Sequence, residues 1–209
     1  MYTLPSVDIE LLQDRGRIVP LEPGPIDSGH PWWEFVLRPG YVWDEQSDNG
    51  YSRAAIPFAL KERNADCVHN GLMSFLFNDA GQVSRVAFEI SHQTCAYLQF
   101  EMHGLIDAGY SMRSVDGTDA ALAIADLSRT GIPEQRPIED LVSAYPNATP
   151  GEFGSIDEIA ADDMTLYGFI IDRVHYTSRC ATPLGEYPFC DELALPSYST
   201  AKSLVAGLG

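Results

Sequence analysis

Ser199 and Lys202 are the residues of this chain whose types and spacing point most directly to chemistry. They stand three apart in Pro196-Ser197-Tyr198-Ser199-Thr200-Ala201-Lys202-Ser203. On a helix, residues three apart share a face, with Cβ atoms roughly 5–6 Å from each other. The Lys202 amine can therefore reach the Ser199 hydroxyl. A serine hydroxyl is a weak nucleophile until a base takes its proton. A lysine becomes that base when burial disfavours its ammonium form. The start of a helix adds backbone N–H groups and a positive dipole end that favour developing negative charge. The pattern predicts an acyl-enzyme mechanism in which Ser199 attacks a carbonyl and water later releases the acyl group. The competing reading makes Ser199 a helix cap and Lys202 a solvated first-turn residue.

Three features of context favour chemistry. The chain has only two lysines, Lys61 and Lys202, so a lysine in this frame stands against a low background. Pro196 suits a boundary where a helix begins. After Lys202 comes the small, apolar run Ser203-Leu204-Val205-Ala206-Gly207-Leu208-Gly209, fit for a buried helix.

The elements ahead of this segment change character along the chain. Residues 1–31 read as an extended arm, because Val19-Pro20-Leu21-Glu22-Pro23-Gly24-Pro25 suits neither a helix nor a central strand. Residues 32–110 read as a β-rich module. Its clearest unit is a hairpin, with Leu72–Phe77 and Gln82–Ile90 flanking the turn Asn78-Asp79-Ala80-Gly81. Val86, Phe88 and Ile90 fall on one face of the second strand, and Arg85 and Glu89 on the other. Asp119–Leu127 reads as a short helix, with further helical turns over Ile138–Ala144 and Ser155–Ala161. Met164–Ser178 is β-type and turns near Asp172-Arg173.

Composition bounds the partners. The formal net charge is −17, from 30 acidic and 13 basic side chains. Such a surface repels nucleic acid and anionic membranes. No apolar run approaches the roughly 18 residues of a membrane span. The cysteines fall into two local pairs, Cys67 with Cys95 and Cys180 with Cys190, a pattern that suggests disulfides and an exported protein. Four buried thiols are the alternative. His69 beside Cys67 and His92 beside Cys95 leave a Cys2His2 zinc site open as a further reading. The amino terminus has no basic and apolar signal-peptide pattern, so export would need a leader outside this sequence. Trp32-Trp33 with Phe35 reads as a packing anchor rather than a sugar platform. Asn147-Ala148-Thr149 fits a glycosylation acceptor.

Tyr198-Ser199-Thr200-Ala201-Lys202-Ser203-Leu204-Val205 resembles the nucleophile segment of β-lactamase-related serine hydrolases. That group includes class C β-lactamases, penicillin-binding proteins, D-amino-acid peptidases, esterases and 6-aminohexanoate-dimer-hydrolase-like proteins. The resemblance implies an α+β chain whose residues 111–209 begin a β-lactamase-like α/β domain, with Met164–Ser178 as edge strands ahead of the nucleophile helix. It implies a small-molecule or peptide substrate and no cofactor. The family also uses a Tyr-x-Asn or Ser-x-Asn element and a Lys-Thr-Gly or His-x-Gly strand, both downstream of the nucleophile. Tyr145-Pro146-Asn147 and His69-Asn70-Gly71 imitate these upstream, in the wrong order, and read as chance. One oxyanion donor of the family lies on that later strand, and losing such a donor costs about 10²–10³ in rate. The expectation is thus an amino-terminal portion of a longer enzyme, inactive by itself.

Overall fold

The computed structural model describes residues 7–14, 16–22, 24–112, 134–148, 159–160 and 163–207. The chain divides into two compact units, one of residues 1–122 with 191–209 and one of residues 123–190.

The larger unit is built on a nine-stranded sheet, antiparallel at every strand pair. Its strands are β1 (Leu11–Asp14), β2 (Arg17–Pro20), β3 (Gly24–Ile26), β4 (Trp33–Leu37), β5 (Gly40–Asp44), β6 (Ser52–Glu62), β7 (Val68–Phe77), β8 (Val86–Gln93) and β9 (His103–Ile106). The order is β1-β2-β5-β6-β7-β8-β9, with β4 pairing β6 and β3 pairing β4. β6 is the spine, and seven consecutive residues, Ala54–Leu60, are buried. A strand covered on both faces has no polar side to alternate with, which explains the unbroken run Ala-Ala-Ile-Pro-Phe-Ala-Leu.

Pro57 sits inside this central strand, where a missing N–H normally breaks a ladder. Its carbonyl accepts from Arg38 N (3.1 Å), so its ring nitrogen points the same way, away from β7. On that side β5 has ended and β4 has not begun, and no ladder bond is lost.

One sheet face carries the main core: Ile18, Phe35, Leu37, Val42, Ala54, Ile56, Phe58, Leu60, Phe77 and Ile90. The opposite face carries a smaller cluster of Val36, Ala59 and Val68, against which Ala194 packs. The β7–β8 hairpin forms as the alternation predicts, and Asn78 Oδ1 accepts from Ala80 N and Gln82 N to close its turn. Cys67 and Cys95 continue this ladder past its last pair and are joined as a disulfide, with Cα atoms 4.4 Å apart. That separation is the one expected of directly opposed, non-hydrogen-bonded residues.

The smaller unit holds β10 (Glu134–Pro137), α1 (Asp140–Ala144), β11 (Gly168–Ile171), β12 (Val174–Thr177), β13 (Ala181–Thr182) and β14 (Gly185–Glu186). β11 and β12 form a hairpin, and β10 adds in parallel to β12. Asp172 and Arg173 make its two-residue turn with φ of 53° and 67°, the left-handed pair that matches strand twist. Leu141, Tyr176, Cys180, Tyr187 and Phe189 are buried, and a second disulfide joins Cys180 to Cys190.

The expected fold class is corrected. The chain is not an α+β protein that opens into a β-lactamase-like domain: it is β-rich, with few helices among the described residues. Met164–Ser178 supplies β11 and β12, which pair with each other and with Glu134–Pro137 in a three-stranded sheet of their own. The supposed arm, in turn, contributes three strands. Pro20 and Pro25 stand where ladder bonds are not required: Pro20 ends β2, and Pro25 lies on β3, which pairs only β4. Asp119–Leu127 lies outside the described residues, as does most of Ser155–Ala161.

Candidate active site

A helix begins after Pro196 as its sequence suggests, and α2 spans Thr200–Gly207. Ser199 immediately precedes it, and its carbonyl accepts from Lys202 N (3.1 Å). The helical spacing brings Lys202 Nζ to 3.4 Å from Ser199 Oγ. Oγ caps no backbone amide among the described residues, which separates it from an ordinary cap serine. Lys202 has no carboxylate partner among the described residues, although acidic side chains outnumber basic ones 30 to 13. Lys61, the other lysine, is paired with Glu34 at 2.8 Å. Ser199 and Lys202 are both exposed, so the burial expected to deprotonate the lysine is not present at this surface.

The backbone entering Ser199 is strained. Tyr198 has φ of 43°, a left-handed conformation that costs a bulky residue free energy and that concentrates at functional turns. Three contacts hold this turn against the sheet. Arg38 Nε donates to Glu192 Oε2 (3.1 Å), from the break between β4 and β5. Ala194 N donates to Asn70 Oδ1 (2.8 Å), while Asn70 Nδ2 donates to Ala194 O (2.9 Å). The Tyr198 hydroxyl donates to Thr94 O (2.9 Å), just past the end of β8.

Asn70 reaches Ala194 because of register. Val36, Ala59, Asn70 and His92 stand opposite one another across β4, β6, β7 and β8, and so line one face. The neighbouring row, Phe35, Leu60, His69 and Gln93, lines the other. A bulge at Asn70/Gly71 makes this possible, since Gly71 faces Ile90 while Asn70 faces His92, leaving Ser91 extra. Without it His92 would share the face of Ile90. Asn70 Nδ2 also lies 3.2 Å from His92 Nδ1. An amide nitrogen only donates, so His92 Nδ1 accepts and the ring is neutral.

His69, on the core face, is fully buried between Trp33 and Phe100, with ring centroids at 5.1 and 4.3 Å. Its Nδ1 meets Gln93 Oε1 at 2.7 Å, and Nε2 has no partner among the described residues. Burial pushes its pKa below the ordinary value, against the opposing pull of Gln93 and Glu62. Burial likewise lowers that of His92. Both imidazoles are held neutral in the fold but charge freely once unfolded. Their contribution to stability is full above the unfolded histidine value of about 6.5 and is lost as pH falls through the lowered folded values. Denaturation midpoints are therefore expected to fall progressively below about pH 6.5, and His92→Asn to flatten part of that slope. A midpoint unchanged between pH 7 and pH 5 would contradict it.

The zinc reading does not hold: Cys67 and Cys95 are bonded to each other, and no metal-ligating cluster occurs among the described residues. Trp33 is a packing anchor, whereas Trp32 is 63% exposed. His69-Asn70-Gly71 lies within β7, and Tyr145 ends α1 in the smaller unit with its hydroxyl on Asp172 Oδ2 (2.9 Å). The acceptor motif at Asn147 includes Thr149, outside the described residues. The two disulfides are features of an oxidising environment. No described helix is long and apolar enough to cross a membrane. Comparison with protein-family models, curated proteins and solved structures finds no match to this chain.

The contacts at Asn70, His92, Thr94 and Arg38 carry no motif. Asn70, a polar residue next to His69 in the strand Val68–Phe77, is the sign of them in the sequence.

Proposed function

We propose that Ser199 and Lys202 are the nucleophile and general base of an acyl-transferring serine hydrolase acting on an amide, peptide or ester. The observation that carries this reading is the 3.4 Å approach of a lysine amine to a serine hydroxyl, where among the described residues the amine has no carboxylate partner and the hydroxyl caps no backbone amide. The strained Tyr198 just before it supports the same reading. Acylation requires Lys202 in its amine form, which a substrate covering this exposed surface would favour by desolvation; the amine then takes the Ser199 proton as Oγ bonds to the substrate carbonyl carbon. The resulting ammonium returns that proton to the departing amine or alcohol. Water then attacks the ester, its proton passes through Lys202 to Oγ, and the acid leaves.

Lys202→Ala removes the base and nothing that packs. In the full-length natural gene product it is expected to slow labelling by a fluorophosphonate probe by about 10²–10⁴, with the denaturation midpoint unchanged. Labelling of that variant at the wild-type rate would refute Lys202 as base. Absence of labelling in the wild type would favour the competing reading, a non-catalytic β-rich binding module.

A further inference from the structure

The Asn70 side chain is 1% exposed and uses every polar hydrogen and its oxygen. Ala194 presents one donor and one acceptor, and Asn70 answers both, as a strand neighbour would. This fixes which end of the amide carries nitrogen. The remaining N–H then points at His92 Nδ1, which must be unprotonated to receive it. The contact spans 124 residues of sequence and lies five residues before Ser199. Only Leu195, Pro196, Ser197 and Tyr198 intervene, with Pro196 stiffening the path and Tyr198 tied to Thr94.

We infer that Asn70 is a positioning residue for Ser199: its amide, oriented by His92, docks the backbone of Ala194 on the sheet and so sets where the Ser199 turn projects. The inference rests on the acyl-transfer reading for its functional meaning, but the docking stands on geometry alone. It does not make Asn70 a catalytic residue, because Asn70 acts through the chain it holds.

The charged and titratable groups around the clamp are few. His92 faces Asn70 from β8. His69 precedes Asn70 on β7 but points to the opposite face, toward Gln93, with Glu62 acting on it. Glu192, on the docked segment itself, has its pKa raised by burial, with Arg38 and Arg17 pulling the other way. Protonating His92 at Nδ1 would set two donors against each other and turn the amide away from Ala194.

The test uses the full-length, disulfide-intact protein and two independent readouts: hydrogen exchange of the Ala194 amide, and fluorophosphonate labelling of Ser199. Asn70→Ala is expected to speed Ala194 exchange at least on the order of tenfold, with core amides such as Leu60 still protected and labelling slowed by a comparable factor. His92→Asn keeps a neutral acceptor near the Nδ1 position. It is expected to preserve Ala194 protection at neutral pH and to abolish the loss of protection that the wild type shows on acidification. If Asn70→Ala fails to fold, Asn70→Leu and His92→Asn decide. Asn70→Leu keeps about the same volume and offers Ala194 N no acceptor, so Ala194 exchange rises. Exchange unchanged in the Asn70 variants, or faster exchange with wild-type labelling, overturns the inference. A wild type that never labels while Asn70→Ala frees Ala194 sinks the acyl-transfer reading and leaves the docking supported.

Discussion

Removing the Cys67–Cys95 disulfide by the double substitution Cys67→Ala with Cys95→Ala is expected to destabilise the larger unit by about 3–4 kcal/mol. The bond closes a loop with a sequence separation of 28, which removes more freedom from the unfolded chain than the separation of 10 closed by Cys180–Cys190. It also lies where the β7–β8 ladder opens, next to the Thr94 N to Val68 O bond (3.0 Å), and two residues from His69 and Gln93. Losing it frees the strand ends from which Thr94 receives the Tyr198 hydroxyl. The loss is expected to show as a fall of roughly 10 °C in the midpoint of the larger unit, at the 2–4 °C per kcal/mol usual for this size. The equivalent change at Cys180 and Cys190 should produce a smaller fall, confined to the smaller unit. Calorimetry of the two double variants checks both. Equal midpoints for wild type and Cys67→Ala/Cys95→Ala would contradict the assignment of the bond as a main staple.

Gly71→Ala is expected to be as damaging, by a different route. A Cβ there would run into the Glu89 carbonyl and the Phe58 ring. The carbonyl is backbone of the paired strand, so relief requires β8 to move rather than a side chain to turn. Overpacking of this kind costs about 3 kcal/mol. The position also borders the bulge that brings His92 onto the face of Asn70. The variant should therefore lose Ala194 protection along with stability, whereas Leu60→Ala, a cavity in the core face with a cost of about 2–5 kcal/mol, should lose stability with Ala194 still protected in the folded fraction. Urea unfolding gives the first quantity and native-state exchange the second. A Gly71→Ala protein as stable as wild type would contradict the close packing of β6, β7 and β8.

What the sequence made legible is local. Alternation at Val86, Phe88 and Ile90, the Asn78–Gly81 turn, the Asp172-Arg173 turn, the cysteine pairing and the helix after Pro196 each depend on residues near one another. What it concealed depends on distant partners. Pro57 looks like a strand breaker until the gap between β4 and β5 is seen beside it. Pro20 and Pro25 disguise β2 and β3 as an arm because their ladder positions are unknown in advance. The bulge that moves His92 to the other face leaves no trace in a periodicity of two. Met164–Ser178 is correctly strand-like, but which sheet it joins is set by pairing with Glu134–Pro137. For the candidate site, the spacing of Ser199 and Lys202 carried their approach, whereas the exposure of both and the docking of Ala194 on Asn70 required the fold.

The measurement that bears most directly on the acyl-transfer proposal is peptide mapping of the full-length protein after reaction with a fluorophosphonate. Attack by Ser199 Oγ forms a serine–phosphorus bond and expels fluoride, so a single adduct is expected on the peptide containing Ser199, absent from Ser199→Ala. An adduct on any other residue, or an equal adduct on Ser199→Ala, would contradict Ser199 as the nucleophile.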